Sequence, residues 1–364
     1  MNAQTPHQTE LTELAEQIKD WGQAAGFQGV GITDIDLTEH EVRLQQWLDQ
    51  GLHGELGYMA QHGHKRSRPD ELIPGTLRVI SFRMDYLSVQ ARDSSTNDDS
   101  ARARVSRYAL GRDYHKLIRK RLSRLAEQIE RSARELGITE GDDQYRAFVD
   151  SAPVLERALA EKAGLGWIGK NTMLLSREAG SYFFLGEIYT NLPLPTDAPV
   201  KQNHCGKCQA CLDACPTNAF VSPYVLDAKK CVSYLTIELK GSIPEALRPG
   251  IGNRIFGCDD CQSVCPWNRF AQPTDEQDFQ PRHGLDTAQL IELFMWSEEA
   301  FLERTAGSPI RRTGYEGWLR NIAVALGNAP SSIPVVEALK RRLEYPSDIV
   351  REHVDWALGR HSAL

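Results

Sequence analysis

The chain has 364 residues, 41% of them hydrophobic and 25% charged, which is the composition of an ordinary globular protein with room for two or three domains. Its formal net charge of −7 excludes a chain built to coat nucleic acid wholesale, though it leaves local basic patches open. No apolar run approaches the ~20 residues that cross a bilayer; the longest, SYFFLGEIY at 181–189, is interrupted by Glu187.

In chain order, Leu11, Leu14, Ala15, Ile18 and Trp21 recur at helical spacing over 11–25. The start MNAQTPHQTE has no basic segment leading into an apolar core, so no signal peptide and a cytoplasmic location are expected. GVGITD (29–34) and RVISFRMDYL (78–87) read as strands, and RDSSTNDDS (92–100) as a polar, mobile loop. From Tyr114, the series Leu117, Ile118, Leu122, Leu125, Ile129, Ala133 and Leu136 predicts a long amphipathic helix. YRAFVD (145–150) follows as a strand, PVLERALAEKAG (153–164) as a helix with Pro153 in its first turn, and SYFFLGEIYTNL (181–192) as another strand. This makes residues 1–195 an α/β domain. PLPTDAPV at 193–200, with three prolines in eight residues, marks its boundary.

All eight cysteines lie between 205 and 265. Clustered thiols in a cytosolic chain point to metal or redox chemistry rather than to a disulfide framework. Cys205, Cys208, Cys211 and Cys215-Pro216 match the C-x2-C-x2-C-x3-C-P run of bacterial two-cluster ferredoxins. Cys258, Cys261 and Cys265-Pro266 repeat its second half, and Cys231 lies between. In the ferredoxin arrangement the last cysteine of each run crosses to the other cluster. Carried over, one [4Fe–4S] cluster takes Cys205, Cys208, Cys211 and Cys265, and the other takes Cys215, Cys231, Cys258 and Cys261. The competing reading is two four-cysteine zinc sites, but those pair C-x2-C knuckles across a longer gap. Residues 196–275 are therefore expected to form a ferredoxin-like domain.

Beyond it the sequence turns helical. ALGN (325–328) returns as ALGR (357–360), and a 32-residue period suggests a HEAT-like helical domain over 276–364, with coincidence as the alternative. The fold class expected is thus α+β and multidomain. Between 101 and 134 there are eleven Arg or Lys against three Asp or Glu, and Lys116, Arg119, Lys120, Arg121 and Arg124 fall on or beside the helix face away from its apolar stripe. A solvated face explains that segment taken alone. Together with Arg311, Arg312 and Arg320 near the start of the tail, it fits a polyanionic substrate held through phosphate contacts.

At this point the residues resemble a known family. FVDSAPVLERALAEKAGLGWIGKNTMLL (148–175), GRDYH (111–115), the cysteine pattern and LRNIAVALGN (319–328) are together similar to the epoxyqueuosine reductases, in the same order over nearly the whole chain. The resemblance implies a cobalamin-dependent enzyme with two [4Fe–4S] clusters that reduces an epoxide to an alkene on the wobble base of certain tRNAs, the last step of queuosine synthesis. It implies Asp150 as general acid, Tyr114 and His115 beside the modified base, and Asp150, Lys170, Asn171, Leu174 and Leu185 around cobalamin. Arg311, Arg312 and Arg320 would then bind tRNA. Asp113-Tyr114-His115 imitates the start of a cobalt-ligating D-x-H-x-x-G motif, but Ile118 stands where the glycine belongs. A cobalamin here would lack a histidine below the cobalt. For Asp150, a helix N-cap is the structural alternative, with Ser151 able to take that role instead. As an acid, Asp150 would need a raised pKa. The competing functions are a reductive dehalogenase-like reductase, a ferredoxin-type electron carrier and a zinc-bearing RNA-binding module. An external electron donor, a monomeric state and no membrane partner are expected.

Overall fold

The computed structural model describes residues 6–89, 99–139 and 144–361; residues 92–98 of the expected polar loop lie outside that range. The N-terminal part is built on four strands, β1 (Gly29–Thr33), β2 (Arg78–Asp85), β3 (Tyr145–Phe148) and β4 (Phe183–Thr190), in the order β1-β2-β4-β3. Every neighbouring pair is antiparallel. The α/β expectation is corrected accordingly: hydrophobic periodicity marks elements but not the direction in which they pair. No parallel switch point exists to place Asp150, and its position has another cause, given below.

Strand alternation divides the sheet into two unlike faces. Ile80, Phe82, Met84, Phe184 and Ile188 face helix α1 (Pro6–Ala24) and helix α2 (Tyr114–Glu135), packing with Leu14, Ile18, Ile118 and Leu122. Gly186 allows α2 to approach closely, since a Cβ there would lie 2.8 Å from Leu122 and 3.0 Å from Ile118. On the other face Val79, Tyr189 and Phe148 pack with Leu159 of helix α3 (Glu156–Lys162). Ser81, Arg83 and Glu187 share this second face, so it carries buried polar groups where the first is apolar.

Two elements stop short of their expected limits. β3 ends at Phe148, and α3 begins at Glu156 with Leu155 as its N-cap. Pro153 therefore precedes the helix. Residues 149–155 form a tight loop in which Asp150 takes a positive φ of 49°, a conformation uncommon in a residue with a Cβ.

The C-terminal part contains helices α4 (Gly314–Asn328), α5 (Ile333–Lys340) and α6 (Asp348–Gly359). Their core takes in Ala103, Ala109, Leu110, Ile255 and Phe256 from earlier in the chain. The two ALG segments differ in role. A Cβ on Gly327 would meet the Trp356 ring at 2.6 Å and the Ala357 backbone at 2.9 Å, so this glycine allows α4 and α6 to cross closely, whereas a Cβ on Gly359 would meet nothing within 4 Å.

Arg320 corrects a sequence expectation. It is 1% exposed. Its guanidinium donates to the carbonyls of Leu235, Leu239 and Gly241, each at 2.8 Å, and to Asn321 Oδ1. It ties α4 to the 235–241 segment and is not available to tRNA. Arg320→Met should leave three buried carbonyls without donors and destabilise the protein by roughly 3 kcal/mol. Denaturant unfolding measures the loss; a change within about 0.5 kcal/mol would remove the tie from the account.

Candidate functional site

Asp113 caps α2, accepting the His115 backbone N–H at 3.1 Å. This accounts for the Asp-Tyr-His triplet: the aspartate is a helix cap, and the next two side chains leave the first turn together. Tyr114 lies nearly parallel to Phe184 of β4, ring centres 3.8 Å apart, and stacks on His115 at 4.2 Å. Both then meet one atom. The Tyr114 hydroxyl donates to Asp150 Oδ2 at 2.8 Å, and His115 Nε2 lies 3.0 Å from the same oxygen. His115 Nδ1 lies 2.6 Å from Asp113 Oδ1. Arg312 closes the group, with Nη2 3.0 Å from His115 Nδ1 and 3.4 Å from Asp113 Oδ2.

The protonation states follow from these contacts. For Asp150, burial acts to raise the pKa, but the hydrogen bonds from His115 and Tyr114 and the His115 and Arg312 charges outweigh it, and the carboxyl sits below its ordinary range. For His115, burial acts to lower it, but the bonds to Asp113 and Asp150 raise it. The carboxyl is held toward its charged form and the facing imidazole is shifted toward its own, so the expected raised pKa of Asp150 is not found in this arrangement. Nor is Asp150 a helix cap. Its side chain is 48% exposed, with Oδ2 held by Tyr114 and His115.

Sequence reading missed the carboxyl groups behind it. Glu156 accepts the Asp150 backbone N–H and so fixes the strained loop. Glu187, 0% exposed on β4, stands near Glu156, and neither of its carboxyl oxygens has a hydrogen-bond partner among the described residues. Burial, then the Asp150 charge, pushes Glu156 above 4.5; burial, then Glu156, raises Glu187 far more. The signal was present in the sequence, since Glu187 is the one charge interrupting an otherwise apolar strand.

The segment after α3 joins this group to the cysteines. Arg157 donates to the Thr172 carbonyl. Lys170 Nζ donates to the carbonyls of Gly206 and Cys208 at 2.8 Å, and Asn171 Nδ2 to that of Cys261 at 3.1 Å. These two side chains are occupied by the cysteine loops. Leu174 is buried in a small apolar cluster against which half-buried Leu185 packs. Trp167, packed edge-on against His204 and Trp267, has a buried Nε1 without a partner among the described residues.

Cys205, Cys208, Cys211 and Cys265 line one open cavity with Lys170 and Asn171. More deeply placed, Cys261 lies within electrostatic reach of Cys258 and Cys231, and Cys231 within that of Cys215. Burial and then the Cys265 charge push Cys211 up to about 11, and burial pushes Cys258 up to about 12. Thiols so disposed become thiolates only when a metal centre compensates their charge, and four facing one cavity fit a cluster.

The basic residues sort unevenly. Arg104 pairs with Asp260, Arg107 with Asp259 in the interior, Arg112 with Asp278 and Arg121 with Glu276. Lys116, Arg119, Lys120 and Arg124 are exposed, as expected for the outer face of α2. Arg311 is exposed and donates to the Leu302 carbonyl, whereas Arg312 reaches the Asp150 group. Among the described residues no helix is long and apolar enough to cross a membrane.

A cysteine-rich electron-carrying region beside a buried acid–base group defines the class: an iron–sulfur oxidoreductase. Residues 204–268 match a family model described as a 4Fe-4S double cluster binding domain, and residues 66–151 match the epoxyqueuosine reductase QueG model. The epoxyqueuosine reductase of Pseudomonas aeruginosa is 66% identical over 96% of this chain and 94% of its own. A Bacillus subtilis epoxyqueuosine reductase, solved with its catalytic aspartate loop swung out of the active site, is 29% identical with a TM-score of 0.84, over 96% of this chain and 90% of that one. A crystal structure of an epoxyqueuosine reductase with an epoxyqueuosine-modified tRNA-Tyr stem loop is 29% identical with a TM-score of 0.83, over the same shares. The chain belongs to the epoxyqueuosine reductase family.

The Glu156–Glu187 pair predicts a pH dependence of stability. Both hold protons in the folded state that the unfolded chain releases around pH 4.5. The folded state then binds more protons, so this contribution is full below pH 4.5 and is lost as pH rises through the raised folded values. Glu156→Gln should shrink the fall in melting temperature between about pH 5 and pH 8. A fall equal to the parent's would assign it to other groups.

Proposed function

We propose that this chain reduces epoxyqueuosine to queuosine in tRNA, in the cytoplasm, as a monomer supplied by an external electron donor. The observation that carries the reading is the convergence of Tyr114 and His115 on one oxygen of the half-exposed Asp150, joined through residues 166–175 to the cysteines. The family relatives and the relative solved with a modified tRNA stem loop support it.

Reduction of an epoxide to an alkene takes two electrons and two protons, breaks both C–O bonds and releases the oxygen as water. The chain's own part is the proton. An oxygen leaving carbon at neutral pH is a poor leaving group unless a proton reaches it as the bond breaks. His115 holds that proton between Asp113 and Asp150, and its Nε2 can pass it to Asp150 Oδ2. Asp150, neutral for that moment, is the donor to the epoxide oxygen. Tyr114 and Phe184 keep the carboxyl aimed, and Glu156 holds the loop behind it. Arg311 and Arg312, with the exposed cations of α2, meet the tRNA phosphates.

Asp150, Lys170, Asn171, Leu174 and Leu185 would hold cobalamin, the first through its open side and the others chiefly through the 166–175 backbone and its packing. Cobalamin supplies a nucleophilic or radical metal centre when bound. Two [4Fe–4S] clusters, on Cys205, Cys208, Cys211 and Cys265 and on Cys215, Cys231, Cys258 and Cys261, supply the electrons. In this division residues 1–195 bind cobalamin and substrate, 196–275 carry the clusters, and 276–364 form the HEAT-like, tRNA-binding part.

Asp150→Asn keeps the size of the side chain but has no carboxyl proton to give. It should retain iron, cobalamin and stem-loop binding yet turn over at least about a hundredfold more slowly. Single-turnover assays on epoxyqueuosine stem loop decide this, and near-parental rates would remove Asp150 as the acid. Cys265→Ser should lower iron in anaerobically purified protein from about eight to about four per chain. Zinc in place of iron in the parent would sink the cluster assignment.

A further inference from the structure

Electrons must enter from outside, and one face is built for the encounter. Of the eight cysteines, Cys208 alone is exposed, so the cavity it shares with Cys205, Cys211 and Cys265 is where a carrier can come nearest. The surroundings are tied into one surface. The Tyr224 N–H donates to the Lys170 carbonyl at 3.0 Å. Arg177 Nη2 lies 2.7 Å from His204 Nε2, and His204 and Arg269 line the cavity.

Two features of this surface point to a protein partner of one kind. The hairpin of residues 220–226 ends in two exposed apolar side chains, Val221 (60% exposed) and Tyr224 (45%). Beside it Lys170 and Arg269 line the cavity, Arg177 is bonded to His204 on its rim, and exposed Lys207 lies between Cys205 and Cys208 in the chain. A cationic rim about a small apolar contact, in a chain of net charge −7, favours a steered, short-lived encounter with an anionic protein. RNA fits less well, since its modified base has to reach Asp150, where Arg312 already stands.

We propose that the Val221–Tyr224 hairpin tip and the cations around Cys208 form the docking face for a small acidic one-electron carrier protein. The proposal rests on the iron–sulfur reading above. In each encounter the carrier loses one electron and the cluster at Cys208 gains it; two encounters supply one epoxide reduction.

The test uses the holoprotein and reduced flavodoxin, an acidic flavin carrier, and follows cluster bleaching by stopped flow. In the parent the rate should fall steeply with added salt. Lys207→Glu combined with Arg269→Glu should slow bleaching at least about tenfold at low salt and flatten the salt dependence. Val221→Asp, a change at an exposed site, should slow it in the same direction. Bleaching by dithionite and affinity for the tRNA stem loop should stay at parental values. Flavodoxin rates unchanged in both variants would overturn the docking face. Loss of stem-loop affinity with unchanged flavodoxin rates would reassign the patch to RNA. A parent that dithionite cannot bleach would overturn the cluster reading itself, separately from the docking face.

Discussion

The double hydrogen bond on Asp150 Oδ2 is the contact on which the site depends. It brings a strand end and a helix start, more than thirty residues apart in the chain, to a common point. Its donors arrive from the first turn of α2, where Asp113 both caps the helix and holds the far side of His115. Because both donors favour the charged form of the acceptor, the Asp150 pKa is lowered while that of His115 is raised. Under the proposed reaction the acid would be a pair, in which His115 supplies the proton and Asp150 delivers it.

The two faces of the antiparallel sheet divide the labour. The face against α1 and α2 is apolar and supplies the stack under Tyr114. The opposite face places Glu187 behind Glu156, and Glu156 in turn holds the Asp150 backbone in a conformation that a residue with a Cβ seldom keeps unaided. A loop fixed by a few polar contacts can be released at modest cost.

Positive charge proved to be three kinds of residue under one name. Arg107 and Arg320 are interior ties, spent on a carboxylate or on backbone carbonyls. Lys116, Arg119, Lys120 and Arg124 stand in solvent, where charge is inexpensive and steers a ligand over a Debye length. Arg312 belongs with the acid–base group. A count of eleven cations against three acids could not make this distinction, because burial depends on which surface the residue meets.

The sequence determined what is local or periodic. The long helix from Tyr114, the strands at 29, 78, 145 and 183 and the thiol pattern were legible, because helical spacing, alternation and C-x2-C intervals are properties of neighbours in the chain. The long block 148–175 also led to Asp150. Tertiary structure decided what depends on distant partners. It made the sheet antiparallel, buried Arg320, set Glu156 and Glu187 against each other, and lowered the pKa of Asp150 while raising that of His115. Strand direction, desolvation and pKa are set by groups that meet only when the chain has folded.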